Sequence, residues 1–134
     1  MSTTYTETAN AALVRRVYEA FNPFDLEALT GLLSPDVSFL QPGRSTVSGL
    51  YEGRDAVFGW FGALAAATGG TFRPELLNLY PNDTQVVAVN RATGTAGDTT
   101  LSADAALVFE VSNGVVTAVT VHQQHQEEWD EFFV

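Results

Sequence analysis

Four stretches in the second half of the chain decide the fold: FRPELLNLY at residues 72–80, QVVAVNRATGT at 85–95, TLSADAALVFEV at 100–111 and VVTAVTVHQQ at 115–124. Valine, threonine and aromatic residues recur there with the alternation of a β-strand, whose side chains point to opposite faces in turn. Pro81-Asn82-Asp83, Ala96-Gly97-Asp98 and Ser112-Asn113-Gly114 punctuate them. Asn-Gly is a strong hairpin signal, because both residues tolerate the positive φ that a tight two-residue turn requires. The pattern predicts a meander of four long strands.

Upstream the period changes. From Asn10, the apolar positions Leu13, Val14, Val17, Tyr18 and Phe21 fall on one helical face, and Asn22-Pro23 ends the run. Asp25 caps a second short helix with Leu26, Leu29, Leu32 and Leu33 inward, stopped by Ser34-Pro35. Asp36 to Gln41 reads as a short strand, Pro42-Gly43 as a turn and Thr46 to Leu50 as a return strand. Gly53 to Thr68 reads as a third helix with Val57, Trp60, Phe61 and Leu64 on its stripe. The tail places Trp129, Phe132 and Phe133 at helical spacing, as one turn of helix or an ordered arm. Residues 1–8 read as a flexible N-terminus and 9–134 as one domain. Helices followed by long strands imply an α+β fold. The expected form is a curved antiparallel sheet wrapped around three N-terminal helices, cone-shaped, with an internal pocket.

Composition narrows the chemistry. The 134 residues are 46% hydrophobic, enough for a packed core. Six basic residues against 16 acidic ones give a net charge of −10, which argues against nucleic acid and anionic membranes as partners. No apolar run approaches the ~18 residues of a membrane span, and Met1-Ser2-Thr3-Thr4 lacks the blocks of a signal peptide, so a cytoplasmic location is expected. The sequence holds no Cys and no Lys, which excludes thiolate and Schiff-base chemistry.

The order of elements resembles the nuclear transport factor 2-like superfamily, and within it the SnoaL-like polyketide cyclases and ketosteroid isomerase-like proteins. Val14-Arg15-Arg16-Val17-Tyr18-Glu19-Ala20-Phe21-Asn22, followed by Asp25-Leu26-Glu27-Ala28-Leu29, is similar to that family's opening helix pair. Leu33-Ser34-Pro35-Asp36-Val37 resembles its entry to the first strand, and Gly49-Leu50-Tyr51-Glu52-Gly53-Arg54-Asp55-Ala56-Val57 the start of its third helix. Asn113-Gly114-Val115-Val116 resembles its turn into the last strand, and Trp129-Asp130-Glu131-Phe132-Phe133 a tail common in SnoaL-like members. The resemblance implies a cone-shaped fold, a small apolar organic ligand and cofactor-free acid/base chemistry.

It also implies where catalytic groups sit, and this chain departs there. The isomerase base position falls on Gln41, before Pro42; the tyrosine position on Val17, with Tyr18 beside it; the protonated aspartate position on Leu107. The cyclase base position falls near Val121. By the family's register, Thr117, Val119, Val121, Gln123 and His125 face the cone, and His122 looks outward. His125 is then the catalytic candidate, since imidazole titrates near neutrality. Its alternative is a solvated histidine at a strand end. Tyr18, Asn90 and Gln41 join it as hydrogen-bonding partners. Asn90 lies on the small face formed with Ala88, Ala92 and Gly94. Val17, Phe39, Tyr51, Trp60, Phe61, Leu107, Val119, Val121 and Gln123 are expected to contact substrate. On a strand, His122 and His125 point to opposite faces, so no metal site is expected.

Two functions remain open: an enzyme performing cyclisation, isomerisation, dehydration or epoxide opening on an apolar oxygenated compound such as a polyketide or terpenoid, or a non-catalytic ligand-binding or dimerisation module. The outer strand face, with Val87, Val89, Ala106, Val108 and Val116, is expected to support a homodimer.

Overall fold

The computed structural model describes residues 7–134. The flexible start expected over residues 1–8 thus lies outside the described residues for its first six. Glu7 meets Arg15 at 2.9 Å, and Thr8 caps the first helix by accepting from the Ala11 amide.

In chain order the elements are α1 (Ala9–Phe21), α2 (Leu26–Leu32), β1 (Leu33–Gln41), β2 (Gly49–Glu52), α3 (Arg54–Ala67), β3 (Arg73–Pro81), β4 (Gln85–Ala96), β5 (Thr99–Ser112), β6 (Val115–Gln123) and α4 (Gln126–Phe132). Asp25 accepts from the Ala28 amide at the start of α2, as its position predicted. Asn113 and Gly114 take φ values of 52° and 78° in the β5–β6 hairpin, the conformation that pairing favours.

The sheet is curved and unclosed, in the order β2-β1-β6-β5-β4-β3. Its pairings are antiparallel except that β1 runs parallel to β6, with Phe39 opposite Val119. The sheet is therefore mixed rather than wholly antiparallel. α1 packs on β3 and β4, α3 on β1 and β2, and α4 on β5 and β6. One face of each strand meets the helices: Val86, Ala88, Asn90 and Ala92 on β4, Leu101, Ala103, Ala105, Leu107 and Phe109 on β5, and Val119 and Val121 on β6 are all buried.

Val116 is also fully buried, contrary to its expected place on the outer face. The register shifts at Glu110/Val111, and a one-residue slip exchanges the faces of a strand. No helix among the described residues is long and apolar enough to cross a membrane.

The tail forms a helix that closes one end of the cone. Trp129 and Phe133 are each 2% exposed, and their rings lie 4.6 Å apart. Gln126 Nε2 donates to the Pro42 carbonyl at 3.1 Å, and the Thr46 amide donates to the Phe133 carbonyl at 2.8 Å. Gly43 makes this docking possible: its φ is 102°, and a Cβ there would collide with the side chains of Gln126 and Asp130.

Candidate functional site

Helix α1, helix α3 and the inner faces of β1, β4 and β5 leave a cavity at the centre of the cone. Its outer lobe encloses about 70 Å³ between Val17, Tyr18 and Phe21 of α1, Trp60, Phe61 and Leu64 of α3, and strand residues that include Phe39, Leu107 and Phe109. An inner lobe of about 50 Å³ adjoins it, reaching Gln41, Val121, Gln123 and Trp129. Trp60, Leu64, Pro74, Asn90 and Leu107 line both lobes, so they form the waist between them. A surface groove between α1 and β3, lined by Arg15, Glu19, Asn22, Arg73, Glu75 and Leu76, shares Tyr18 and Pro74 with the outer lobe.

The polar centre of the cavity is the pair Tyr18–Asn90. Alternation along β4 turns Asn90 inward, and the α1 stripe carries Tyr18 to meet it. Asn90 Nδ2 donates to Tyr18 Oη at 2.8 Å, and both residues are buried, at 5% and 6% exposure. Because the phenol oxygen accepts this bond, its own proton is not committed to Asn90 and can be given to a bound molecule. Burial raises the Tyr18 pKa above its ordinary value, with the bond from Asn90 opposing that shift. Tyr18 therefore remains a protonated donor throughout the neutral range.

Gln41 ends β1 at 1% exposure, and its one bond is a long 3.4 Å contact from Nε2 to the Pro42 carbonyl. Gln123 Oε1 and the indole N–H groups of Trp60 and Trp129 are buried with no partner. Among the described residues that line the cavity, none is a carboxylate, an imidazole or a guanidinium.

The structure brings Tyr18, Asn90, Gln41, Val17, Phe39, Trp60, Phe61, Leu107, Val121 and Gln123 around this space. It does not bring His125 there. Strand β6 stops at Gln123, the Gln124 amide donates to the Asp104 carbonyl at 2.9 Å, and His125 becomes the exposed N-cap residue of α4. Two more residues of alternation would have turned it inward; the bend removes them. His122 is exposed on the outer face, as expected.

Tyr51 stacks on Trp60 with ring centroids 5.4 Å apart and donates to the Val47 carbonyl, so it supports the cavity wall from behind. Val119, 1% exposed, packs in the core beside the cavity rather than on it. Arg91 and Asp104 form an exposed two-bond pair at 2.7 and 3.1 Å, away from the cavity. Arg54 donates to the Leu33 carbonyl and ties α3 to the start of β1.

Sequence reasoning missed several lining residues. Phe21, Leu64 and Phe109 lie on stripes already read as buried, so their periodicity could have found them. Trp129 enters from the tail, and Pro74 from a strand whose partner was not known; no local pattern marks either.

Helices packed on a curved, unclosed mixed sheet around an apolar cavity with a polar centre place the chain among the cystatin-like α+β folds. The model of the SnoaL-like domain matches residues 14–119, and the chain belongs to that family, part of the nuclear transport factor 2-like superfamily. The family includes cyclases and isomerases. An uncharacterised protein of Mycobacterium tuberculosis (strain ATCC 25618 / H37Rv) is 34% identical over 116 residues, covering 86% of this chain and 88% of that one. The structure of Bal32a, from a soil-derived mobile gene cassette, superposes with a TM-score of 0.91 at 38% identity, covering 94% of this chain and 97% of that one. A chain from Jannaschia sp. CCS1, provisionally named a SnoaL-like polyketide cyclase, shares the fold at a TM-score of 0.75 and 14% identity, over 92% of this chain and 91% of its own.

Proposed function

We propose that this protein takes a compact, uncharged and mainly apolar organic molecule into the cone and hydrogen-bonds one of its carbonyl or hydroxyl oxygens through Tyr18. The observation that carries this reading is the direction of the Tyr18–Asn90 bond, which leaves the phenol proton free inside an aromatic cavity. Charge is disfavoured in the ligand because the lining offers no counter-charge, and an unpaired buried ion is strongly destabilised. Each lobe is smaller than the ~150 Å³ apolar cavity that holds a benzene, so the fitting molecule is small and uses both lobes.

2-Butanone is a suitable probe, with an ethyl group small enough for the outer lobe and one carbonyl. Its titration should shift the Asn90 side-chain and Trp60 indole resonances in NMR spectra of the wild type. Tyr18→Phe should weaken that binding about threefold to tenfold, the worth of one neutral hydrogen bond. No shifts at tens of millimolar butanone would refute the reading.

The same phenol supports a second reading, cyclase- or isomerase-type chemistry of the kind the family includes. A buried, protonated Tyr18 is suited to stabilising the oxyanion of an enolate. In that case neither exposed histidine is the base: solvent hydroxide takes the carbon-bound proton and becomes water, while Tyr18 holds the enolate oxygen. Deuterium uptake at the carbons beside the butanone carbonyl in D₂O, faster than in buffer and slowed by Tyr18→Phe, separates this reading from simple binding.

Association is part of the same proposal. The outer sheet face carries Leu40 and Leu50, 39% and 57% exposed, in line with Thr120, Val108, Val87 and Tyr80. An apolar band of this kind suits a twofold pairing with a second copy.

A further inference from the structure

The inner lobe holds a set of polar groups that the binding of a single oxygen at Tyr18 does not use. Gln123 Oε1 is a buried acceptor without a donor. The Trp129 and Trp60 indole N–H groups are buried donors without acceptors. The Gln41 amide, 1% exposed, makes only one long contact with its neighbour's carbonyl. All four residues line the same space of about 50 Å³. Buried polar groups are satisfied in the great majority of folded proteins, and each exception calls for an explanation. Four residues from four different elements, β1, α3, β6 and α4, converge on this one space.

We infer that the inner lobe is a second polar subsite, built for a neutral group that both donates and accepts, and that the ligand therefore carries two oxygen functions: a carbonyl at the waist beside Tyr18 and Asn90, and a hydroxyl beyond it. This inference rests on the cavity reading given above. A hydroxyl suits the set because it gives its proton to Gln123 Oε1 while accepting from an indole N–H or the Gln41 amide. A purely apolar group there would leave the acceptor and the donors stripped of water and unpaired. The outer lobe, walled by Phe21, Phe39, Phe61 and Phe109, takes the apolar body. The ligand class is thus an α- or β-hydroxyketone with a compact alkyl end.

The test compares two probes that differ by one hydroxyl: 2-butanone, and 1-hydroxy-2-butanone, in which the carbon beside the carbonyl carries the hydroxyl. Adding a hydroxyl to a molecule that enters an apolar cavity weakens binding unless the group is paired, so the sign of the change is diagnostic. Calorimetric titration of the full chain should show 1-hydroxy-2-butanone binding about fivefold to tenfold more tightly, the worth of one to two neutral hydrogen bonds. In Gln123→Met, which keeps the length of the side chain and removes its acceptor, the ratio of the two affinities should fall to about one. Gln41→Met serves as a second variant, expected to lower the ratio at least twofold. His122→Ala, on the outer face, should leave the ratio as in the wild type. Equal affinities, or a preference for 2-butanone, would overturn the subsite while leaving the single-oxygen reading intact. So would a preference that survives both glutamine variants. Failure of both probes to bind at all would overturn both readings together.

Discussion

Tyr18→Phe is the most informative single change in the molecule. It deletes one oxygen, keeps the ring that packs 6.1 Å from Phe109, and strands Asn90 Nδ2 in a cavity wall where that residue is 5% exposed. Leaving a buried donor unsatisfied costs about 1–3 kcal/mol. For a domain of this length that corresponds to a fall in Tm of roughly 4–12 °C. The double variant Tyr18→Phe with Asn90→Leu removes both partners, and replacing both by apolar groups of similar shape is nearly neutral. The double variant should therefore lose no more than the worse single variant, giving a coupling energy of about 1–3 kcal/mol in a double-mutant cycle. Thermal melts followed by circular dichroism, with urea titrations for the free energies, measure all four proteins. A Tyr18→Phe protein as stable as the wild type, or strictly additive losses in the double variant, would refute the assignment of this pair as the polar centre of the cavity.

Three further outcomes follow from the same structure. Burial holds the Tyr18 pKa above its unfolded value of about 10, so the unfolded chain releases this proton first and stability falls as pH rises past about 10, by up to about 1.4 kcal/mol per pH unit; Tyr18→Phe should flatten that slope in alkaline urea titrations. Truncation after Gln126 removes Trp129 and Phe133, buried aromatics whose individual loss costs about 3–5 kcal/mol, and should lower Tm by more than about 10 °C; an unchanged melt would mean that α4 contributes nothing to the core. Light scattering at micromolar concentration should give the mass of a dimer, and Leu50→Glu should convert it to a monomer; a monomeric wild type would rule out pairing through the outer sheet face.

Much of this architecture is legible in the sequence because its signals are local. The four strands follow from alternation and from turns such as Asn113-Gly114, and the helices from the spacing of Val14, Val17, Tyr18 and Phe21. The inward faces of β4 and β5 follow from the same alternation, which is why Asn90 and Leu107 were readable as cavity residues. What the local pattern does not carry is strand order: the parallel contact of β1 with β6 joins segments from opposite ends of the chain. Nor does it mark where alternation ends. Carrying the period two residues past Gln123 placed His125 in the cone, whereas Glu127 and Glu128 in the first turn of α4 and the helical spacing of Trp129, Phe132 and Phe133 identify His125 as the residue before a helix. The register shift near Val111 misled the reading of Val116 for a similar reason, since a slip of one residue is invisible to periodicity.

The parallel pairing also governs how the chain reaches its fold. β1 is flanked in the sheet by β2, its neighbour in sequence, and by β6, which lies most of the chain away. The helices and the β3–β6 meander can organise from nearby contacts, but the cone is not enclosed until β6 and then α4 arrive, with Thr46 bonding to Phe133 across 87 positions. Closure of so long a loop before any reward from packing makes for slow folding. During synthesis, the N-terminal half emerges with one edge of β1 unpaired and its aromatic face open, and it waits in that state until the last strand leaves the ribosome.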